Sequence, residues 1–265
     1  MNAHDGAWLP PPSPLSLFAQ DVHVWRAALE MDASCLQSLQ RTLSEDEVTR
    51  AERFRFQRDR MQFIAARGLL RSILARYLSV EPGHLRFCYG DHGKPALAHA
   101  LSKDEIRFNI SHSGRLALVA VTRGRAIGID LEHIPVDFDW RPITEEVFSI
   151  QERAALQTLP LHMRRRAFFL CWTRKEAYVK ARGQGFALSP DRVEVPLTIG
   201  GPAIVRSTGG DNEGGSWWSV QSLYPDEHYV AAVAAGGRNW RLACWQWPER
   251  GNRVFDDVAE DSGTV

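Results

Sequence analysis

The sequence predicts an α+β fold with two halves, each containing helical segments followed by a few strands. Three observations predict it. A capping box opens a long helical region in the first half, and apolar strand-like segments follow that region. The second half repeats this order of helices and then strands. No strict sequence repeat joins the halves, so the likeness is one of layout.

The first half opens with a predicted strand at residues 22–28 and a helical region at residues 45–77. Ser44 can cap the helix start, and Glu47 completes a capping box three residues later. Four large residues recur every seven positions on one helix face: Phe56, Phe63, Leu70 and Tyr77. Three arginines recur on a neighbouring face: Arg53, Arg60 and Arg67. The region is therefore locally basic.

The remaining elements follow from apolar runs and turn residues. In the first half, strands are predicted at 106–110, 116–121 and 126–131 in a compact hairpin pattern. In the second half, helices are predicted at 144–148, 149–159 and 164–181, and strands at 192–195, 217–223, 229–235 and 242–247. The glycine-rich segment 209–215 is predicted to be a flexible loop.

Composition narrows the class of protein. Of 265 residues, 44% are hydrophobic and 24% are charged, as in a globular protein with a sizeable core. The net charge is zero, which disfavours a globally basic nucleic-acid binder. The four cysteines form no C-x-x-C pair, which favours buried reduced thiols over a zinc or redox site. No apolar run reaches the roughly 20 residues of a membrane span, so we expect no membrane association.

The chain ends differ from its centre. Residues 1–14 are proline-rich and predicted to be disordered, and no signal peptide is recognisable there, which predicts a cytoplasmic protein. Residues 15–133 form the predicted N-terminal subdomain and residues 134–248 the C-terminal one. Residues 249–265 form a polar tail.

The first chemically informative motif is Gly-Ile-Asp-Leu-Glu at residues 128–132. On a strand, Asp130 and Glu132 project to the same side, while Ile129 and Leu131 point into the core. Two carboxylates this close repel each other unless a cation or a proton lies between them. Magnesium suits such oxygen ligands. The alternative is an exposed polar face at the end of a strand.

The second motif lies in the predicted helix at residues 172–180. Trp172, Glu176 and Lys180 follow one another at intervals of four and share one face. The carboxylate can serve as a third metal ligand or as a base, with the ammonium beside it to neutralise a phosphate. The alternative is an ordinary ion pair on a solvated helix.

The third motif is Phe-Asn-Ile-Ser-His-Ser at residues 108–113, preceded by Gly-Lys-Pro at residues 93–95. Ser111 and His112 end an apolar strand at a turn, where side chains and backbone N–H groups can face a ligand. No acid lies at a spacing that demands a hydrolase triad. The alternative is a turn histidine with a purely structural hydrogen bond.

Together and in this order, the motifs between residues 93 and 180 resemble the Sfp-type 4′-phosphopantetheinyl transferases. The fourth segment of that pattern is Trp-x-x-Lys-Glu-Ala-x-x-Lys, and the arginines near residues 50–71 resemble the family's N-terminal helix. The resemblance implies a pseudo-dimer of two similar α/β subdomains with the active site in the cleft between them. It also implies a monomer, because the family's trimeric form is about half this length.

The resemblance further implies an activity and a role for each motif residue. The 4′-phosphopantetheine arm of coenzyme A would pass to a serine of an acyl or peptidyl carrier protein, with Mg²⁺, or alternatively Mn²⁺, as cofactor. The implied metal-site residues are Asp130, Glu132 and Glu176. The implied coenzyme A contacts are Lys94, Ser111, His112 and Lys180, with Arg50 and Arg67 against the 3′-phosphate. Either Glu176, or Glu132 acting through a water, would be the base.

Two other classes of function remain open from the residues. A phosphatase or nuclease would use the same three carboxylates, although neutral overall charge disfavours nucleic acid. A non-catalytic protein that binds coenzyme A or the carrier would lack one acidic ligand, whereas all three are present here. The particular carrier protein is not specified by these motifs.

Overall fold

The computed structural model describes residues 7–90, 92–98, 105–183, 193–197, 203–204, 206–207 and 217–248. The helices are α1 Ala33–Gln40, α2 Glu45–Glu52, α3 Gln57–Leu78, α4 Arg141–Val147, α5 Ile150–Thr158 and α6 Leu161–Arg182. A 3-10 turn spans Pro82–His84. The predicted loop at 209–215 and the predicted tail at 249–265 lie outside the described residues.

The described residues form twelve strands. In the first half they are β1 Asp21–Ala28, β2 Phe87–Tyr89, β3 Pro95–Leu97, β4 Ile106–Ser113 and β5 Leu116–Arg123. The strand β6 Ile127–His133 ends the predicted N-terminal subdomain. The second half contains β7 Val193–Glu194, β8 Ala203–Ile204, β9 Arg206–Ser207, β10 Trp218–Leu223, β11 Tyr229–Gly236 and β12 Arg241–Gln246. The mixed α+β fold predicted from sequence is confirmed.

Two four-stranded sheets make up the centre of the molecule. The first has the order β12-β1-β5-β4, and the second has the order β6-β11-β10-β8. Strands β2 and β3 form a small hairpin, and β7 and β9 form another two-stranded pair. The two main sheets are the cores of two similar subdomains, which confirms the pseudo-dimer.

The core lies in three layers. Side chains of α3 such as Leu70 pack against Trp25 and Phe108 on the outer face of the first sheet. A second cluster joins the inner faces of the two sheets. In the third, Phe168 and Tyr178 of α6 pack on the outer face of the second sheet. Each long helix therefore covers one sheet, and the two sheets face each other.

Two strands cross between the halves of the sequence. β6 does not extend the predicted hairpin of β4 and β5 but pairs antiparallel with β11. β12 returns to the first sheet and pairs parallel with β1. The sheets therefore divide at the turn between β5 and β6, one strand earlier than the predicted boundary at residues 133 and 134.

The long helix predicted at residues 45–77 is broken into α2 and α3. The capping box of Ser44 and Glu47 is present. However, Glu47 folds back to form ion pairs with Arg67 and Arg71 of α3, at 2.8 and 2.6 Å. In one continuous helix, Glu47 and Arg71 would lie roughly 36 Å apart. The heptad spacing did not reveal the break because no proline or glycine marks it.

The segment before β1 differs from its prediction as well. Residues 7–14, which the sequence predicts to be disordered, include Leu9, whose backbone bonds to Cys244 and Gln246 of β12. Trp8 packs against the cluster between the sheets. Burial of this indole and pairing of the strand edge outweigh the local proline content. Among the described residues, no helix is long and apolar enough to span a membrane.

Candidate active site

The candidate site lies where the edge strand of one sheet meets the edge strand of the other. β4 ends the first sheet and β6 ends the second. Side chains join them: Ser111 Oγ lies 3.2 Å from Asp130 Oδ1, and Ser113 Oγ lies 3.2 Å from Glu132 Oε2. The motifs at 108–113 and 128–132 therefore meet in the cleft between the two subdomains, as the sequence predicts.

Helix α6 forms the other wall of the site. Trp172, Glu176 and Lys180 are half-buried, whereas the residues between them on this helix are buried. Two of them contact β6: the Lys180 ammonium donates to Asp130 Oδ1 at 2.6 Å, and Trp172 hydrogen-bonds to the Glu132 carboxylate. Glu176 lies close enough for the charge of Asp130 to act on it. The predicted common face of these three residues is confirmed.

A glycine permits this close approach of α6 to β6. A Cβ atom at Gly128 would overlap the carbonyl oxygen of Ala177 and the backbone nitrogen of Ala181. Any larger residue would push the helix away from the strand. Gly128 therefore sets the distance between the acids of β6 and the lysine of α6.

Asp130 is the best-enclosed acid of the site, with 4% of its surface exposed. Its Oδ1 atom accepts from Lys180, and Lys180 also donates to Ser111 Oγ at 3.2 Å. The Ser111 hydroxyl is thereby left to donate to Asp130 Oδ1. Asp130 Oδ2 is buried, and none of the described residues offers it a hydrogen bond. A buried carboxylate oxygen of this kind requires a cation or a donor.

The other two acids show the effect of mutual repulsion. Burial first, and the charge of Asp130 second, raise the pKa of Glu132 to about 7. The same two causes raise the pKa of Glu176, while Lys180 opposes them. Because the charge of Asp130 disfavours the charged forms of Glu132 and Glu176, a cation beside these acids would be favourable.

Lys94 reaches this region from the hairpin of β2 and β3. Its ammonium donates to the carbonyl oxygens of Ile127 at 2.9 Å, Lys180 at 2.6 Å and Ala181 at 3.5 Å. Burial, and secondarily Arg107, lower the pKa of Lys94 to about 8. The structure therefore places Lys94 beside the site, with its ammonium bound to backbone carbonyls.

His112 and the two predicted arginines differ in their surroundings. Partial enclosure of the imidazole lowers the pKa of His112, and the nearby charge of Lys180 lowers it further. Arg67 is buried, paired with Glu47 and hydrogen-bonded to the Tyr89 hydroxyl. Arg50 is exposed and lies over the Phe63 ring. His112 is exposed and lies close enough to Lys180 for its charge to act, whereas the described contacts of Arg50 and Arg67 lie within the N-terminal subdomain.

Two residues of the site had no role in the sequence interpretation. Asn109 Oδ1 accepts from the Ile129 backbone N–H at 2.9 Å, and Ser113 Oγ accepts from the His133 N–H at 3.0 Å. A signal for both was present, because Asn109, Ser111 and Ser113 are alternate polar residues and therefore lie on the same side of β4.

Three carboxylates and an ammonium in a cleft between subdomains are typical of an enzyme that acts on a charged, phosphate-bearing group. Comparison with known proteins agrees with this class. The family model for the 4′-phosphopantetheinyl transferase superfamily matches residues 126–234. The model for the N-terminal part of 4′-phosphopantetheinyl transferases matches residues 27–123. The two matches divide at the turn between β5 and β6, where the sheets divide.

Curated relatives extend this likeness over most of the chain. The 4′-phosphopantetheinyl transferase HetI of Nostoc sp. is 42% identical over 91% of this chain and 98% of its own length. A Bacillus subtilis 4′-phosphopantetheinyl transferase is 28% identical over 73% of this chain and 82% of its own. The human L-aminoadipate-semialdehyde dehydrogenase-phosphopantetheinyl transferase is 29% identical over 73% of this chain and 67% of its own. The chain belongs to the 4′-phosphopantetheinyl transferase superfamily and is a transferase of that class.

Proposed function

We propose that this enzyme transfers 4′-phosphopantetheine from coenzyme A to a serine hydroxyl of an acyl or peptidyl carrier protein in a Mg²⁺-dependent reaction. The observation that carries the proposal is the state of Asp130. One of its oxygens pairs with Lys180, while the other is buried and has no hydrogen-bond partner among the described residues. The charge of Asp130 also acts on Glu132 and Glu176. A divalent cation and a pyrophosphate would satisfy these acids and this ammonium together.

The residues present fit a magnesium ion. The donor set is made of carboxylate oxygens, which suit Mg²⁺ or Mn²⁺ and not a soft metal. Among the described residues, no three His, Cys, Asp or Glu side chains already converge on one point. Binding therefore requires the half-buried Glu132 and Glu176 to turn towards Asp130. These three residues would hold the ion, which when bound would supply charge neutralisation at the pyrophosphate.

The chain's own residues supply the remaining functions. Ser111 and His112 at the end of β4, with Lys180 opposite them, would bind and orient the phosphates of coenzyme A. The serine oxygen of the carrier would form a bond to the β-phosphorus, and the bond from that phosphorus to the bridging oxygen would break. The product 3′,5′-ADP would leave with the electron pair, and Lys180 would offset its charge.

The serine proton requires an acceptor in the same cleft. Glu132 and Glu176 are the two half-buried carboxylates of the cleft, and a carboxylate can accept this proton. Either Glu176, or Glu132 acting through a water, can fill this role. The further contacts of coenzyme A with Lys94, Arg50 and Arg67 stay predictions, as does the monomeric state.

The proposal is tested by mass spectrometry of apo carrier proteins from fatty acid, polyketide and nonribosomal peptide synthesis. Each is incubated with the enzyme, coenzyme A and Mg²⁺, with and without EDTA. We expect a gain of one phosphopantetheine on the carrier serine and no gain with EDTA. The variant Asp130→Asn should remain folded by circular dichroism and produce no gain.

Three other results would contradict the proposal. Release of inorganic phosphate in place of 3′,5′-ADP would indicate a hydrolase. Binding of coenzyme A without any transfer to any of the three carriers would indicate a binding protein. Full activity of Asp130→Asn would remove the metal-site assignment while leaving the transferase class in place.

A further inference from the structure

Strand β6 carries two of the acids on an edge that has no neighbouring strand among the described residues. β11 pairs with only one side of β6. In an antiparallel pair, the backbone groups of alternate residues point away from the partner. On β6 these outward groups include the carbonyl of Ile127 and the N–H groups of Ile129 and His133. An edge of this kind is free to shift unless other groups bind it.

Side chains from the first subdomain bind this edge along its whole length. Lys94 donates to the Ile127 carbonyl, Asn109 accepts from the Ile129 N–H, and Ser113 accepts from the His133 N–H. The three contact points flank Asp130 and Glu132 on both sides. Side-chain hydrogen bonds thus take the place of a backbone ladder between β4 and β6.

The hydrogen-bond directions at Ser113 can be assigned without ambiguity. The His133 N–H can only donate, so Ser113 Oγ accepts that bond at 3.0 Å. The hydroxyl proton of Ser113 is then available for Glu132 Oε2 at 3.2 Å. One side chain therefore fixes both the backbone of β6 and the carboxylate that projects from it.

Asn109 plays the matching part at the other end of the acidic pair. Its side chain is buried, and its Oδ1 atom accepts from the Ile129 N–H at 2.9 Å. Ile129 itself is fully buried and immediately precedes Asp130. The position of Asp130 along the cleft is therefore determined by a residue of the opposite subdomain.

We propose that Asn109 and Ser113 are positioning residues, which hold the acids of β6 in the geometry that binds the divalent cation. Neither residue has to touch coenzyme A or the carrier serine. The inference rests on the proposed function, because it assigns these residues to the same metal site. Partners of metal ligands commonly change metal affinity about 10–100-fold when they are lost.

The test measures metal binding directly and without turnover. Mn²⁺ is titrated into the full-length enzyme with coenzyme A but no carrier protein, and free Mn²⁺ is followed by electron paramagnetic resonance. A titration of coenzyme A alone is subtracted. We expect Ser113→Ala to raise the Mn²⁺ concentration at half-saturation by about tenfold, and Ser113→Thr to restore it to within about twofold. Asn109→Ala should raise it by a similar factor.

The matched control is Ser222→Ala on β10, which removes the hydrogen bond between Ser222 Oγ and Arg174 Nε. This variant should lose stability without any change in Mn²⁺ affinity. If Ser113→Ala lost stability but bound Mn²⁺ as the wild type does, the positioning role would be overturned and the proposed function would stand. If the wild type with coenzyme A took up no Mn²⁺, both proposals would be overturned.

Discussion

The two subdomains have the same arrangement of helices and strands but different side chains where the long helix meets the sheet. Helices α3 and α6 both contain 22 residues, and each follows a short helix that opens with a capping box. The glutamate of each box forms a buried ion pair with the fifteenth residue of the long helix, at 2.6 Å in both cases. The pairs are Glu47 with Arg71 and Glu152 with Lys175. Both halves therefore use the same ion pair to join the short helix to the long helix that follows it.

The halves diverge one turn further along each long helix. Lys180 of α6 pairs with Asp130 of β6. At the corresponding positions of the first half, the Arg76 guanidinium lies 5.2 Å from the centre of the Trp25 ring. Asp130 of β6 and Trp25 of β1 occupy equivalent positions in their sheets. Asp130 lies opposite Ala232 and Trp25 lies opposite Val119, and each is three residues from the end of its strand. The same architecture therefore holds an acid in one half and an indole in the other.

The counterparts of the remaining acids differ in the same way. By the same register, Glu132 corresponds to Ala27, and by helix position Glu176 corresponds to Ser72. The first subdomain thus lacks all three carboxylates and contributes the polar side chains of β4 instead. The comparison teaches that the scaffold fixes where a helix meets a strand, while the four side chains at that meeting point differ between the halves. In the proposed function, these four side chains make only the second half reactive.

The largest expected effect comes from removing the ion pair between the short and the long helix in each half. Glu47→Ala and Glu152→Ala should each lower the free energy of unfolding by about 3–5 kcal/mol, because a buried cation loses its carboxylate. Glu47→Ala should cost more, since two arginines lose their partner and arginine cannot release its proton. Urea unfolding at several pH values measures the free energy of unfolding of both variants. Equal losses in Glu47→Ala and Glu152→Ala at every pH would contradict the distinction between the halves.

The next effect separates the reactive half from the unreactive one. Lys180→Ala should lower kcat about 10²–10³-fold, which corresponds to about 3–4 kcal/mol in the barrier. Arg76→Ala should leave kcat unchanged and cost only about 1 kcal/mol of stability from its contact with Trp25. Carrier modification followed by mass spectrometry gives the rates. A matching loss of kcat in Arg76→Ala would show that the first half takes part in the chemistry.

A third prediction concerns the pH dependence of stability and His23, the residue of β1 at the position that corresponds to Gly128 of β6. Burial lowers the pKa of His23 from 6.5 to about 4, against the charge of Asp21. The unfolded chain therefore binds this proton at higher pH than the folded one, and stability falls as pH drops from 6.5 to 4. The loss should reach about 3 kcal/mol.

The control for this prediction is His23→Phe, which keeps a ring in place and cannot titrate. The Tyr77 hydroxyl retains its bond to the Trp25 indole in that variant. The temperature of thermal unfolding should then change less between pH 4 and 6.5 than it does in the wild type. An unchanged pH dependence would assign the effect to other groups.

The smallest effect is expected at Gly128 itself. Gly128→Ala should cost about 1–3 kcal/mol, because its methyl group would enter the backbone of α6. The activity should fall with it, since α6 carries Glu176 and Lys180. Calorimetry and the carrier assay measure the two effects. In contrast, Gly83→Ala, where a Cβ meets nothing closer than 4.0 Å, should leave both nearly unchanged.

Sequence patterns were sufficient for features that depend on local spacing. The common side of Asp130 and Glu132 follows from strand geometry, and the common face of Trp172, Glu176 and Lys180 follows from helix geometry. The order of the motifs indicated the family and the cleft between subdomains. The common side and the common face could be predicted because each depends on residues that are close in the chain, whereas the cleft was implied by the family resemblance.

Features that depend on distant partners could not be predicted in this way. Nothing near β6 or β12 in the chain indicates that each pairs in the sheet of the other half. The ion pair of Arg67 with Glu47 is of this kind, because the sequence identifies Glu47 only as part of a helix cap. Asn109 gained a role only when β6 was placed beside β4. The sequence also does not predict helix α1 or strands β2 and β3, because these elements are short and their local patterns are weak.

The parallel pairing of β1 with β12 has a consequence for how the protein is made. Asp21 and Arg241, which meet in this pair, lie 220 residues apart. At typical rates of translation, the ribosome adds that much chain in roughly 10–45 s. Throughout this time the nascent first sheet exposes one side of β1, a ready template for another chain. We therefore expect newly made molecules to depend on chaperones until their last strand is synthesised.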